Sequence, residues 1–419
     1  MRHRPSARLR SSVTAAVALA ALLAAPGVAP QAATAPPGRT ATAAETTDAT
    51  LGYRVDPARS SAVAGATATP PYRKLWSRDL GSAVSAPVAV GDRLFAVVNA
   101  DQGDEGGPRM RLVGLDARTG RNLWSAKHLT DRPGASLSYG GGLVYTQTMD
   151  GVLTAWDPAT GARRWSVRLN APGSHWFHYP PVWYRGVLYT HSAHASTAMA
   201  VRASDGHILW RTPLANVGQV PVAVNGQGVW VVFDDVEYYL LDRATGRTLR
   251  HYVKPPGRSG SSGSPAVLGG GRLWMRGPSP DGTLTGVDRA TGEPGPAMAA
   301  DGTPAYAGNR LFVAKDGVVR AVDTRTNRTL WTYRGTSGGI GVRLVAAGHV
   351  YATGGDWLRV LRASDGRVVW SLRLAPGDAP SGFWNGEDDG TGWVVPGLAT
   401  AKGRLFVPVA NGALAGYAS

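Results

Sequence analysis

Hydrophobic residues along this chain are set out in short runs whose alternate positions share a side, such as Leu94 and Ala96 or Leu112 and Gly114. Period-two alternation marks half-buried strands. Each run is cut short by a glycine turn or by Asp-x-x-Thr-Gly, and helical periodicity is nowhere sustained after residue 40. The runs group in fours, so each group is expected to form a small antiparallel sheet.

The groups are copies of one another. The phrase Asp-x-x-Thr-Gly followed by Trp is clearest at Leu112 to Trp124 and Leu153 to Trp165, with looser copies at Val319 to Trp331 and Leu358 to Trp370. Registered on the first turn residue, the copies fall at Asp116, Asp157, Arg202, Asp242, Asp288, Asp323 and Arg362, with steps of 35 to 46 residues. Ahead of each lies a second refrain, a turn glycine followed by hydrophobics ending in an aromatic, as in Gly91 to Phe95 or Gly186 to Tyr189. This refrain recurs eight times, the last from Gly403 to Phe406. A repeat near 40 residues describes a stacked or ring-like array.

Seven turns against eight refrains are reconciled at the chain's ends. Leu405 to Tyr417 supplies strands and stops, while Lys74 to Leu80 supplies a lone Trp-bearing strand. The two ends complete one unit. The predicted fold class is therefore all-β: an eight-bladed β-propeller of four-stranded antiparallel blades, its ring closed by an N-terminal strand. The Trp of each copy is large enough to fill a seam between blades, and the Asp and Gly are turn formers.

Residues 72–419 provide the length for eight blades. Before them, Arg2, Arg4, Arg8 and Arg10 precede an apolar run from Val13 to Ala25, so residues 1–33 read as a signal peptide. The run is short for a membrane span. Residues 34–71, rich in Ala, Thr and Pro, are expected to be a disordered linker. The expected location is secreted, extracellular or associated with the cell envelope.

The formal net charge is +15 and there is no cysteine, so disulfides and thiolate metal sites are excluded. Losing the leader's arginines leaves the protein strongly basic, which favours anionic envelope polymers as partners. Nucleic acid is not expected, because no aromatic and basic recognition motif is present. The nucleophile-elbow, zinc-helix and phosphate-loop motifs are also missing.

The repeat resembles the quinoprotein-type, or PQQ-like, β-propeller family. Asp116, Thr119, Gly120 and Trp124 match its pattern most fully, followed by Asp157, Thr160, Gly161 and Trp165, whereas Asn327 replaces the glycine in another copy. That family includes dehydrogenases dependent on calcium and pyrroloquinoline quinone, as well as cofactor-free members similar to BamB, an outer-membrane assembly scaffold. Alcohol-oxidising members resemble one another in a vicinal cysteine pair over the quinone, and this chain has no cysteine. It is also shorter than they are. The resemblance accordingly points to a BamB-like member without a cofactor, with calcium and quinone as the alternative.

In an up-and-down blade, both short turns fall on one face, while the blade-to-blade linkers and the loops between second and third strands fall on the other. Nearly all the length variation belongs to this second face, which makes it the expected recognition surface. Two constellations stand out there. His175, Trp176, His178 and Tyr179 lie in the linker to the third blade, with His191 and His194 in the same blade. Imidazoles at such spacing can ligate a metal or supply a base, and the aromatics can stack on a sugar; ordinary loop histidines are the plainer reading. Asp101 and Asp104 in the first blade, with Trp384, Glu387, Asp388 and Asp389 in the longest linker, form an acidic group that lacks EF-hand spacing.

The function expected from the sequence is that of a secreted, monomeric, non-catalytic propeller binding a protein or envelope polymer through its variable-loop face. A glycan-acting enzyme, or one dependent on quinone and calcium, is the alternative.

Overall fold

The computed structural model describes residues 47–81, 83–99, 109–132, 134–170, 177, 179–192, 195–215, 221–233, 236–253, 265–277, 282–335, 340–374, 397–409 and 412–419. Its regular structure is all β, arranged as eight sheets, each built on a four-stranded antiparallel blade; short strands are added to the sheets of the first and seventh blades. Among the described residues, no helix is long and apolar enough to cross a membrane.

Blade 2 shows the plan: strands Ala135–Gly140, Leu143–Thr148, Val152–Trp156 and Arg163–Arg168 run in order across the sheet. The first strands of successive blades neighbour one another around the axis. Blade 8 is assembled from both ends of the chain, as expected. Its strands Ala399–Ala401, Arg404–Pro408 and Ala413–Ala418 are completed by Arg73–Asp79, which pairs with the last strand in a register running from Arg73↔Ala418 to Asp79↔Ala413.

The repeated phrase is the clasp between blades. Asp116 accepts the amides of Arg118 and Thr119 at 3.0 and 2.9 Å, while Gly120 takes a left-handed φ of 69°. In the copy lacking glycine, Asn327 takes φ 58°, as asparagine does more readily than other residues. A Cβ on Gly120 would lie 2.7 Å from the Trp76 ring, so the turn is glycine both for its φ and for the indole packed on it. Each indole reaches into the next blade: Trp76 Nε1 donates to Ala117 O at 3.1 Å, Trp165 to Ala203 O at 3.0 Å, Trp210 to Arg243 O at 2.9 Å and Trp331 to Ala363 O at 2.9 Å. The aromatic refrain backs the same indoles, with ring centroids 6.1 Å apart for Tyr189 and Trp210 and 5.9 Å for Phe312 and Trp331.

From Thr47 onward, the linker departs from the expectation of disorder. Ala49–Thr50 pairs with the inner strand of blade 1, and Ala62–Val63 pairs in parallel with that of blade 7. Between these points the segment winds once around the channel. Leu51 O receives Tyr139 N of blade 2 at 2.7 Å, and Pro57 O receives Val224 N of blade 4 at 2.7 Å. Ala58 O receives Leu268 N of blade 5 at 2.9 Å, Ser60 O receives Tyr306 N of blade 6 at 2.8 Å, and Ser61 O receives Val345 N of blade 7 at 2.8 Å. Thr50 Oγ1 lies 3.0 Å from the amide of Thr400 in blade 8. A composition of small residues, which reads as disorder, is what fits a narrow channel whose walls already offer unpaired backbone groups. We call this segment the stopper.

Candidate functional site: a stoppered channel

The stopper meets the inner strands near their short-turn ends, and its charged residues occupy the channel axis. Arg59 is 3% exposed and donates to three carbonyls: Tyr53 O at 2.6 Å, Val222 O at 3.0 Å and Pro180 O at 3.2 Å. One side chain thereby ties the stopper to blades 3 and 4. Arg54 bonds to Pro304 O in front of blade 6 and to Arg59 O at 3.4 Å. Asp56 receives the amide and hydroxyl of Ser60 at 2.9 and 2.5 Å.

Burial dominates the electrostatics here. It pushes the guanidiniums of Arg54 and Arg59 down to about 9, against the pull of Asp56. Burial and the charge of Arg54 push Arg343 down to about 10. Burial also raises the Asp56 carboxyl, despite its bonds to Ser60. The axis thus holds three guanidiniums and one carboxylate. Behind the stopper, at the leading ends of the inner strands, a cavity of about 30 Å³ is lined by Tyr53, Arg54, Thr303, Val342, Arg343 and Leu398, among others. That is room for roughly one or two waters.

The two expected constellations are only partly described. His175, Trp176, His178, His194, Trp384, Glu387, Asp388, Asp389, Asp101 and Asp104 lie outside the described residues. The other two are placed indoors rather than on a surface. Tyr179 is 5% exposed and packs its ring 5.6 Å from that of Tyr53 of the stopper, and its carbonyl accepts Gln147 Nε2 at 2.9 Å. His191 is 7% exposed, within the second strand of blade 3. The sequence placed both near loops but carried no sign that the stopper would cover one and the sheet the other.

Sequence reasoning also missed a pair in blade 4 formed by a buried carboxylate and an exposed imidazole. Glu237, 3% exposed, bonds to Tyr239 Oη at 2.5 Å and His251 Nε2 at 2.7 Å, and the His251 and Tyr239 rings stack at 4.1 Å. Glu237 and Tyr239 alternate on one strand while His251 faces them from the next, a juxtaposition legible only once the strand register is known.

Pyrroloquinoline quinone and calcium, which the family resemblance raises, do not fit the cavity behind the stopper: about 30 Å³ cannot take a three-ring quinone, and the guanidiniums of Arg54 and Arg343 that line it repel a divalent cation. Among the described residues, no three His, Asp or Glu side chains gather in a metal-binding group.

A propeller of PQQ-like repeats, closed by its own N-terminal strand and stoppered on its axis, is the class that fold and channel define. The sequence matches the family described as outer membrane protein assembly factor BamB over residues 108–198, 176–295 and 280–383, more than half of the chain, and it belongs to that family. Among solved structures it is similar to BamB from Moraxella catarrhalis, with 16% identity and a TM-score of 0.56, covering 84% of this chain and 98% of that one. It is also similar to quinohemoprotein alcohol dehydrogenase from Comamonas testosteroni, with 15% identity and a TM-score of 0.64, covering 90% and 81%. The computationally designed Ika8 protein aligns with 16% identity and a TM-score of 0.61, covering 83% and 100%. At such identities the likeness is one of fold. No curated protein matches the chain.

Proposed function

We propose that this protein is an exported, non-catalytic scaffold that holds a protein partner on its variable-loop face. The observation that carries the reading is the stopper. The chain's own residues 49–63 hydrogen-bond around the ring, and the cavity left behind them beside Arg54 and Arg343 is only about 30 Å³. Membership of a family named for an assembly factor supports the same reading. Titration with calcium, zinc and pyrroloquinoline quinone should give no heat; quinone binding in the presence of calcium would refute the non-catalytic assignment. In envelope cross-linking, a Glu387, Asp388 and Asp389 triple alanine variant should lose the partner that wild type retains.

A second reading, an anionic envelope polymer on the short-turn face, rests on one repeated position. The residue after the left-handed turn position is arginine at Arg121, Arg247, Arg328 and Arg367, and all four are exposed. The neighbouring turn aspartates spend carboxylate oxygens on their own backbone amides. Replacing the four arginines with glutamine should abolish retention on a polyphosphate column if this face carries the contact.

A further inference from the structure

We infer that a hollow between the stopper and blades 2 and 3 is a binding site for a small amphipathic organic anion. The hollow exists because the stopper leaves the wall there. After following blade 2 as far as Gly52, the chain turns inward, with Val55 N bonded to Gly52 O at 2.9 Å and Leu51 N to Val55 O at 3.1 Å. Arg54 and Val55 take φ of 59° and 75° to make the turn. The chain regains the wall at Pro57, already in front of blade 4. In front of blade 3 it is the Arg59 side chain, not a backbone pair, that bridges to Pro180.

The space left over is about 550 Å³, within the range of roughly 300–1,000 Å³ typical of small-molecule sites. Leu51, Val55, Pro57, Tyr139, Val182 and Tyr184 give it a mostly apolar lining. Its wall at Gly140 is thin by necessity: a Cβ there would lie 2.2 Å from the Trp183 ring, which lies against that backbone. The two charged groups at the base are already committed, Asp56 to Ser60 and Arg59 to three carbonyls. The rim carries Arg185, which is exposed and lies 5.4 Å from the Tyr184 ring. Arg243 stands beyond it, 5.1 Å from the same ring, and donates to Gly226 O at 3.4 Å. An apolar body with the Arg185 guanidinium at its rim suits a ring-bearing molecule with one carboxylate or sulfonate.

The probes are 2-naphthoate and its uncharged counterpart 2-naphthalenemethanol, measured by isothermal titration calorimetry on the mature chain. Wild type should bind both. Arg185→Gln, at an exposed position, should weaken 2-naphthoate at least fivefold and leave the alcohol unchanged. Leu51→Glu, which puts a carboxylate into the half-exposed wall, should abolish 2-naphthoate binding at an unchanged melting temperature. If that variant does not fold, Tyr184→Ala takes its place, with an expected loss of at least fivefold. No binding of 2-naphthoate to wild type, equal affinity in Arg185→Gln, or full affinity in the folded wall variant would each overturn the proposal. The hollow opens on the short-turn face, so loss of a partner from the variable-loop face would leave these results untouched.

Discussion

The guanidinium of Arg250 stands where other blades place an indole. It donates to Arg289 O at 3.2 Å and to Ala290 O at 2.8 Å, the same contact into the next blade's turn that Trp210 makes with Arg243 O. The repeat thus keeps a hydrogen bond across the seam when it gives up the aromatic ring, but the two residues should differ in worth. Trp210 is buried and fills the seam, so Trp210→Ala should cost about 3–5 kcal/mol through lost burial and a cavity. Arg250→Ala removes a partly exposed charge-assisted contact, and about 1–2 kcal/mol is expected. Urea unfolding midpoints of the two variants should rank in that order.

The turn aspartates predict acid sensitivity. Hydrogen bonds from Thr245 hold the Asp242 carboxyl below the ordinary range. The amides of Thr291 and Ala290 do the same for Asp288, and those of Thr326 and Arg325 for Asp323. A carboxylate depressed in the fold stabilises it above the unfolded value, near pH 4, and that stability is lost as pH falls through the folded values. Melting temperature should be level above about pH 5 and fall toward pH 3. Asp288→Asn should melt lower than wild type at pH 7, and the difference should narrow at pH 3.

Arg59 is the strut of the stopper. Arg59→Met keeps length and apolar bulk but strands three buried carbonyls, each costing about 1–3 kcal/mol unless water reaches it. The expected result is local release rather than loss of the ring, because no blade strand depends on Arg59. Limited proteolysis should cut the variant within residues 47–71 while the described blade strands, such as Arg73–Asp79 and Ala413–Ala418, stay as resistant as in wild type. Equal resistance of that segment in both proteins would contradict the strut role.

What the sequence disclosed and what it hid divide along a physical line. The blades, the ring closure at Lys74 to Leu80 and the turn role of Asp116 and Gly120 were legible because they repeat, and each copy carries its own hydrophobic alternation. The stopper was not. Ala49, Gly52, Val63 and Ala68 show no alternation because the segment is held by backbone pairing with existing strand ends and by scattered apolar side chains that enter different blade cores, not by one regular face. One signal was available: Tyr53, Arg54, Asp56 and Arg59 break an Ala and Thr background with the charged and aromatic groups that a buried channel has to satisfy. The hollow beside blade 3 was hidden for the same reason, since one of its walls is the stopper.

The separate contributions of stopper and closing strand can be told apart by two truncations. A chain beginning at Tyr72 keeps the strand Arg73–Asp79 that completes blade 8, and it keeps Tyr72, whose hydroxyl lies 2.5 Å from that of Tyr351 and whose ring meets Trp370 edge-on at 5.1 Å. It loses buried Tyr53, Val55, Val63 and Ala68, of which the larger side chains are each worth about 1.5–3 kcal/mol, and it unpairs backbone groups on the inner strands. That chain should fold with β-type circular dichroism and melt at least several degrees lower. A chain beginning at Gly81 lacks a whole outer strand, and with it the Trp76 indole that seats on the turn of blade 1. It leaves the seam between blades 8 and 1 open, so it should fail to give a cooperative melt. Cooperative folding of the Gly81 chain would show that ring closure is dispensable, and failure of the Tyr72 chain would make the stopper part of the folding core.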